Sequence, residues 1–130
     1  MIQEFDNRNK DIKIWIDGEL LHRDEAKVSV FDSVVQGGDA VWEGLRVYDR
    51  KIFCFDNHLN RLMESAKSMD FENIPTLEYI KDAIFSTLKA NGMKDDTHIL
   101  YCQSPTIFCL KEPYVIIFFS QDLMQLSFET

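Results

Sequence analysis

Short apolar stretches bounded by turn residues recur along the chain, which is typical of strands in an antiparallel sheet. Two short strands are predicted around Asp17-Gly18, because this dipeptide tolerates the positive φ angles of a type I′ hairpin turn. A longer strand is predicted from Val41 to Tyr48, followed by a turn at residues 49–51 and a short strand over Ile52 to Phe55. A further strand begins at Thr97.

Apolar residues then recur at helical spacing in two places. The first helix is capped by Asp56, whose carboxylate can accept from first-turn amides, and it ends near Asp70 or Phe71. At about 100° per residue, Arg61 lies roughly 150° from the centre of the apolar stripe and faces away from the predicted core. That stripe consists of Leu59, Leu62, Met63 and Ala66.

The second helix begins after Pro75, is capped by Thr76 and stops at Asn91-Gly92. Its apolar stripe consists of Leu77, Ile80, Ile84 and Leu88. Two helices with one apolar stripe each predict an α+β fold, in which both helices pack on one face of a mostly antiparallel sheet.

The connection between the hairpin and the long strand carries Val28, Val30 and Val34, which predict an extended, partly buried segment. Gly37-Gly38 follows it. Glycines here permit either a bend between two elements or the close approach of a ligand to the backbone, and both interpretations stay open.

Residues 100–130 differ from residues 1–99, because only four of the chain's charged residues lie there: Lys111, Glu112, Asp122 and Glu129. We therefore expect a domain over residues 1–99 and a divergent apolar tail. Two apolar runs, 107–110 and 114–119, predict a strand hairpin, and each is too short to span a bilayer. The second run does not alternate, so we expect it to be buried on both faces or to cause self-association, which deletion of residues 105–130 would cure.

Composition excludes several classes of function. A hydrophobic content of 45% with 28% charged residues is typical of a globular domain. The net charge of -8 argues against nucleic-acid binding and against anionic membrane surfaces. The histidines are scattered without metal-ligand spacing, so no metal site is predicted.

The cysteines Cys54, Cys102 and Cys109 form no CxxC pair, a usage that suits a reducing compartment. The first 13 residues have neither an apolar signal core nor the Arg- and Ser-rich character of a transit peptide. Both observations favour the cytoplasm.

Four segments, in this order, resemble class IV aminotransferases of the branched-chain and D-amino-acid type: WIDGE, AKVSVFD, VWEGLRVY and HLNRLMESAK. The resemblance covers about residues 14–99 and is to the N-terminal small domain of the family. The segment VWEGLRVY is more similar to the branched-chain branch than to the D-amino-acid branch. Relatives continue with Arg after the His-Ile pair, whereas this chain has Leu100, where the resemblance stops.

The resemblance implies a pyridoxal-phosphate enzyme that moves an amino group between an amino acid and a 2-oxo acid. It assigns Arg61 to the cofactor phosphate, and Trp42, Gly44 and Arg46 to the substrate side. From the helix pattern alone, a solvated surface charge is the favoured interpretation of Arg61, because most polar helix faces only contact water. The family's catalytic lysine and the carboxylate facing the pyridine nitrogen lie in its larger second domain, so no catalytic residue is assigned here.

We therefore expect a truncated small domain that does not hold pyridoxal phosphate stably and is inactive alone. Two alternatives stay open. One is a non-catalytic module that pairs with a full-length relative, as a homo- or hetero-oligomer, and the other is a splice or truncation product without function.

Overall fold

A computed structural model describes residues 7–105 and 115–119 of the chain. A short 3₁₀ turn at Asn7–Asn9 precedes nine elements: β1 (Lys13–Ile16), β2 (Glu19–His22), α1 (Ser33–Gly37), β3 (Val41–Tyr48), β4 (Lys51–Ile52), α2 (Phe55–Ser68), α3 (Leu77–Ala90), β5 (Thr97–Gln103) and β6 (Val115–Phe119). The described strands form one sheet in the order β2-β1-β6-β5-β3-β4, and every pairing is antiparallel. The predicted α+β fold is confirmed.

The core lies between the sheet and the two long helices. Strand β3 alternates, so its inward residues Val41, Leu45 and Val47 are buried. They pack with the apolar stripes of α2 and α3, which the helical spacing predicts: Leu59, Leu62, Ala66, Ile80, Ile84 and Leu88. Leu77 is the exception, since it is 36% exposed at the first residue of α3. Truncating one of the buried leucines to alanine costs about 2–5 kcal/mol in such a core.

Both predicted turns are confirmed. Asp17 and Gly18 have φ values of 49° and 88°, and Asp49 and Arg50 have values of 45° and 63°. Positive φ at both turn residues is the signature of the type I′ turn, whose twist matches that of the flanking strands. Strand β4 ends at Ile52 and not at Phe55, because helix α2 already begins there.

The predicted cap of α2 at Asp56 is wrong. The chain enters the helix through Cys54, which lies in the left-handed region with φ of 48°, and no side chain caps the first turn. The helix therefore starts earlier than predicted and Asp56 lies inside its first turn. There Asp56 accepts a 2.7 Å hydrogen bond from Lys81 Nζ, which ties α2 to α3.

The segment before β3 also differs from the prediction. Val28 and Val30 are exposed by 42% and 69%, and Val34 lies in the short helix α1. The Asp32 carboxylate initiates that helix by accepting from Val34 N at 2.8 Å. Gly38 ends it with φ of +77°, and a Cβ there would meet nothing within 4 Å. The positive φ is therefore sufficient to explain this glycine, and no atom of the described residues approaches closely enough to require it.

Strand β5 begins at Thr97 as predicted, continues past Ile99 to Gln103 and pairs with β3. Strand β6 lies between β1 and β5, so this part of the tail is an inner strand of the sheet. Pairing with β1 and β5 satisfies the backbone hydrogen-bonding groups on both edges of β6. The partner run at residues 107–110 lies outside the described residues, and the hairpin stays a prediction.

Candidate functional site

Strand β3 presents the three predicted substrate residues on one face. Trp42, Gly44 and Arg46 alternate with the buried positions and lie opposite to the helices. Trp42, at the first end of this row, is 66% exposed to solvent. A Cβ on Gly44 would lie 3.9 Å from the Trp42 ring, an ordinary contact. Contacts within the chain therefore do not require a glycine at this position.

Arg46 lies at the far end of the same row and is held by its neighbours. Its Nε donates to Tyr48 Oη at 3.2 Å, its guanidinium carbon lies 5.4 Å from the centre of that ring, and Nη2 lies 3.7 Å from an Asp96 carboxylate oxygen. His98 is its cross-strand partner on β5. Burial lowers the pKa of His98, and the charge of Arg46 lowers it further against the opposing effect of Asp96. The imidazole therefore stays neutral near pH 7.

Glu43 points to the other face of β3, into the layer between sheet and helices. Its side chain is only 4% exposed. Arg61 on α2 donates to both of its oxygens, from Nε to Oε1 and from Nη2 to Oε2, each at 2.6 Å. His58, one turn earlier on α2, places Nδ1 2.7 Å from Oε2. A bidentate, charge-assisted pair of this geometry is among the stronger polar contacts in proteins.

The ionisation state of Glu43 determines whether His58 donates or accepts the hydrogen bond between them. Burial raises the pKa of Glu43, but the hydrogen bonds from Arg61 and His58 lower it more, to below its ordinary value of 4.5. The carboxylate is therefore ionised at neutral pH. A ring nitrogen 2.7 Å from an ionised oxygen must carry the hydrogen between them, so His58 Nδ1 donates to Glu43. The 3.4 Å contact of Arg61 Nη2 with Nδ1 is then not a hydrogen bond.

Arg61 was predicted to face away from the core; its side chain is 66% exposed, but its guanidinium contacts Glu43 in the layer between the sheet and the helices. It is not simply a solvated charge, because Glu43 holds one edge of its guanidinium. The hydrogen bond and charge of Glu43 also raise the pKa of Arg61. A guanidinium carries five N–H donors, of which the carboxylate takes two. Within residues 7–105, no partner is found for Nη1, so the outer edge of the group remains available.

The two sets of predicted site residues lie on opposite faces of β3 but at the same edge of the sheet. Strand β4 pairs with β3 only at Val47 and Tyr48, so the first half of β3 has no other described strand on its outer side. Glu43, which holds Arg61, lies between Trp42 and Gly44 in the strand. A ligand at this open edge can therefore reach Arg61 on one face and Trp42 on the other.

Sequence reasoning missed Glu43 and His58. The signal for Glu43 was present, since strand alternation places it on the inward row with Val41 and Leu45, where a charge needs a partner. The spacing of His58 and Arg61, three residues apart on a helix, puts both on one side to supply that partner.

Buried polar groups also lie beyond Ile99, on the helix-facing row of β5. Tyr101 is opposite Glu43, and its hydroxyl donates to Gln103 Oε1 at 3.4 Å. Gln103 Nε2 and Ser104 Oγ are buried without a hydrogen-bond partner among the described residues. Burial raises the pKa of the Tyr101 hydroxyl far above its ordinary range, so it remains a donor.

Across the part of the chain that the structure describes, no group of three or more His, Cys, Asp or Glu side chains is placed to hold a metal ion. No helix in that part is long and apolar enough to cross a membrane.

Comparison with known proteins identifies the family. The profile described as Amino-transferase class IV matches residues 40–122, and the fold corresponds to the N-terminal domain of such enzymes. The chain belongs to the class IV aminotransferase family.

Named relatives point to the branched-chain group. The chain is 58% identical over 91 residues to branched-chain-amino-acid aminotransferase-like protein 1 of Arabidopsis thaliana, a match covering 70% of this chain and 16% of that protein. It resembles the branched-chain aminotransferase of Thermoproteus uzoniensis, solved with norvaline, with a TM-score of 0.73 and 31% identity over 85% of this chain and 40% of that one.

A third relative is the putative branched-chain-amino-acid aminotransferase of Methanocaldococcus jannaschii. The two chains are 35% identical over 116 residues, which cover 78% of this chain and 40% of that protein. The chain thus spans well under half the length of each of these three relatives.

Proposed function

We propose that this chain supplies the small-domain part of a pyridoxal-phosphate-dependent aminotransferase, which moves an amino group between a branched-chain amino acid and a 2-oxo acid. The observation that carries the proposal is the guanidinium of Arg61. Glu43 fixes it at the open edge of β3, and its outer donors are exposed. Family membership and the branched-chain relatives support the same activity.

The residues present fit the phosphate of the cofactor. Three N–H groups of Arg61 remain after the contact with Glu43, and a phosphate oxygen pair is a natural partner for such a planar edge. Pyridoxal phosphate, when bound, supplies the electron sink that this class of reaction needs.

The substrate side is proposed on the opposite face of β3. Trp42 offers an exposed apolar surface for a branched side chain, and Gly44 leaves the space beside it open. Arg46, held by Tyr48 and Asp96, adds positive charge that suits a substrate carboxylate.

We further propose that these 130 residues alone neither transaminate nor hold pyridoxal phosphate stably, because the resemblance assigns the catalytic lysine to the second domain. A cytoplasmic location is part of the same proposal and is supported by the free thiols of Cys54 and Cys102.

Reduction with borohydride in the presence of pyridoxal phosphate tests the proposal. The 130-residue chain should show only sparse labelling spread over surface lysines in peptide maps. The same chain joined to the second domain of a class IV relative should show stoichiometric labelling of one lysine in the added domain. A single fully labelled lysine in the chain alone, or none in the joined protein, would contradict the proposal.

Exposed apolar residues favour a second candidate, a non-catalytic module that pairs with a full-length relative or with itself. Val30, Phe31 and Val35 are 69%, 71% and 54% exposed, and they are neighbours around the beginning of α1. Sedimentation of the chain mixed with a full-length relative would show a stoichiometric complex if this candidate is right. Two independent boundaries would exclude that hetero-complex, and the mass of the boundary formed by the chain would report pairing with itself.

A further inference from the structure

We propose that Glu43, assisted by His58, is a positioning residue that holds the Arg61 guanidinium in the orientation in which it binds phosphate. This inference rests on the proposed function and deepens it. Glu43 itself would not touch the ligand, because its side chain is buried and both of its oxygens already accept hydrogen bonds.

The geometry divides the guanidinium into a held edge and a free edge. Nε and one N–H of Nη2 face the carboxylate of Glu43. The remaining donors are the second N–H of Nη2 and both of Nη1, and they lie in the same plane on the outer side. Because the group is planar, fixing the first edge also fixes the direction in which the second edge points.

Rigid elements support this contact from both sides. Glu43 belongs to the inward row of β3, which is paired with β5 along residues 41–47. Arg61 belongs to α2, whose opposite face is buried in the core. An arginine side chain that is two thirds exposed would otherwise sample many rotamers, and ordering it in advance removes that entropic cost from binding.

His58 holds the carboxylate in turn. Its Nδ1–H donates to Oε2, the oxygen that also accepts from Arg61 Nη2, while Oε1 accepts from Nε. Three donors thus fix the plane of the carboxylate. Removing His58 should leave Arg61 paired with a less restrained partner.

Glu43 also has an opposite effect, which makes the inference testable. Its negative charge cancels part of the positive potential of Arg61 and, on electrostatic grounds alone, weakens the attraction for phosphate. This Coulomb effect is screened at an exposed guanidinium, whereas the loss of orientation is not. Replacement of Glu43 by Gln therefore lowers phosphate affinity if positioning dominates and raises it if charge dominates.

The experiment is a titration of the 130-residue chain with inorganic phosphate, followed by the ¹⁵N NMR signals of the Arg61 side chain. In the native chain, we expect separate Nη signals, which indicate restricted rotation, and a saturable shift with phosphate. Glu43→Gln should merge these signals and raise the dissociation constant about tenfold. Glu64→Gln is the matched control, because it removes the same charge three residues from Arg61 on the exposed side of α2 and should leave both readouts unchanged.

His58 provides a second set of variants that keep the Glu43 charge. His58→Ala should weaken phosphate binding by a smaller factor, and His58→Asn, whose amide can donate at the position of Nδ1, should restore it. Equal or tighter phosphate binding in Glu43→Gln, or no response of Arg61 in the native chain, would overturn the positioning role. Neither result bears on the proposed aminotransferase function, which is tested separately by borohydride labelling of the chain joined to a second domain. Failure of the positioning role and failure of the proposed function are therefore distinguishable.

Discussion

Strand alternation predicts that Glu43 is buried, but it does not predict which residue pairs with it. The alternation of β3 marks positions 41, 43, 45 and 47 as inward, and a carboxylate in such a row needs a cationic partner. Sequence spacing gives the side of α2 on which Arg61 lies. It cannot give the distance between the helix and the strand, which tertiary packing determines, so the pairing of Glu43 with Arg61 appears only in the structure.

The ion pair changes the expected effect of Arg61→Ala. An outward-facing helical arginine is expected to be dispensable for stability. Here its removal leaves a buried carboxylate with His58 as its remaining side-chain partner, so we expect the melting temperature at pH 7 to fall by about 5 °C or more. Thermal unfolding followed by circular dichroism measures the change, and Lys67→Ala, an exposed cation on the same helix, is the control.

The same variant should have a characteristic pH dependence. Because the folded-state pKa of Glu43 is lowered, the stability that its ionised form contributes is fully present above the unfolded value of 4.5 and is lost as the pH falls through the folded value. The difference in melting temperature between the native chain and Arg61→Ala should therefore be largest near pH 7 and shrink below pH 4.5. A difference that is independent of pH would show that Arg61 stabilises the fold through packing alone.

At the scale of elements, the sequence predicts the bounds of a helix or strand best where a local interaction determines them. Both type I′ turns, the eight residues of β3 and the start of α3 follow from local turn, alternation and capping chemistry. The start of α2 does not, because a left-handed Cys54 replaces the predicted Asp56 cap. Helix α1 was missed because its five residues are too few for a periodic signal.

Thr76 allows a direct test of one such local interaction. Its Oγ1 accepts a 3.2 Å hydrogen bond from Tyr79 N at the beginning of α3. Thr76→Ala should cost about 1 kcal/mol, which lowers the melting temperature of a chain of this size by about 4 °C. Ser86→Ala, at an exposed position inside the same helix, should be neutral or slightly stabilising. An equal loss in both variants would show that the cap contributes nothing specific.

For the whole molecule, the position of β6 determines how the sheet is completed. Local pattern gave an apolar run at the end of the chain, but nothing local indicates that it inserts between β1 and β5, strands that are distant in sequence. With β6 in place, the β1-β2 hairpin is continuous with the rest of the sheet. Without it, the hairpin is attached through contacts with α3 and its end, such as the bonds between Asn91 and the backbone of Lys13 and the Trp15–Tyr79 ring contact.

The structure therefore predicts that deletion of residues 105–130 lowers solubility, whereas the sequence predicts that it raises solubility. The pattern of apolar residues alone predicts that the shortened chain is more soluble. Removing β6 instead opens two unpaired strand edges, on β1 and β5, and such edges promote association. We expect residues 1–104 to melt at a lower temperature and with less cooperativity than the full chain, and to sediment as larger species.

A shorter deletion, of residues 121–130, separates loss of the strand from loss of the apolar end of the chain. This deletion removes only residues beyond β6, so the shortened chain should have the melting temperature of the full chain, whether or not its self-association changes. Circular dichroism and sedimentation velocity on the three chains measure both properties. If residues 1–104 are monomeric and melt with the full chain, β6 is dispensable and the tail is an independent segment. If only the longer deletion lowers the melting temperature, the central strand is what joins the two halves of the sheet, and the edge of β3 that carries Trp42 and Glu43 depends on it through β5.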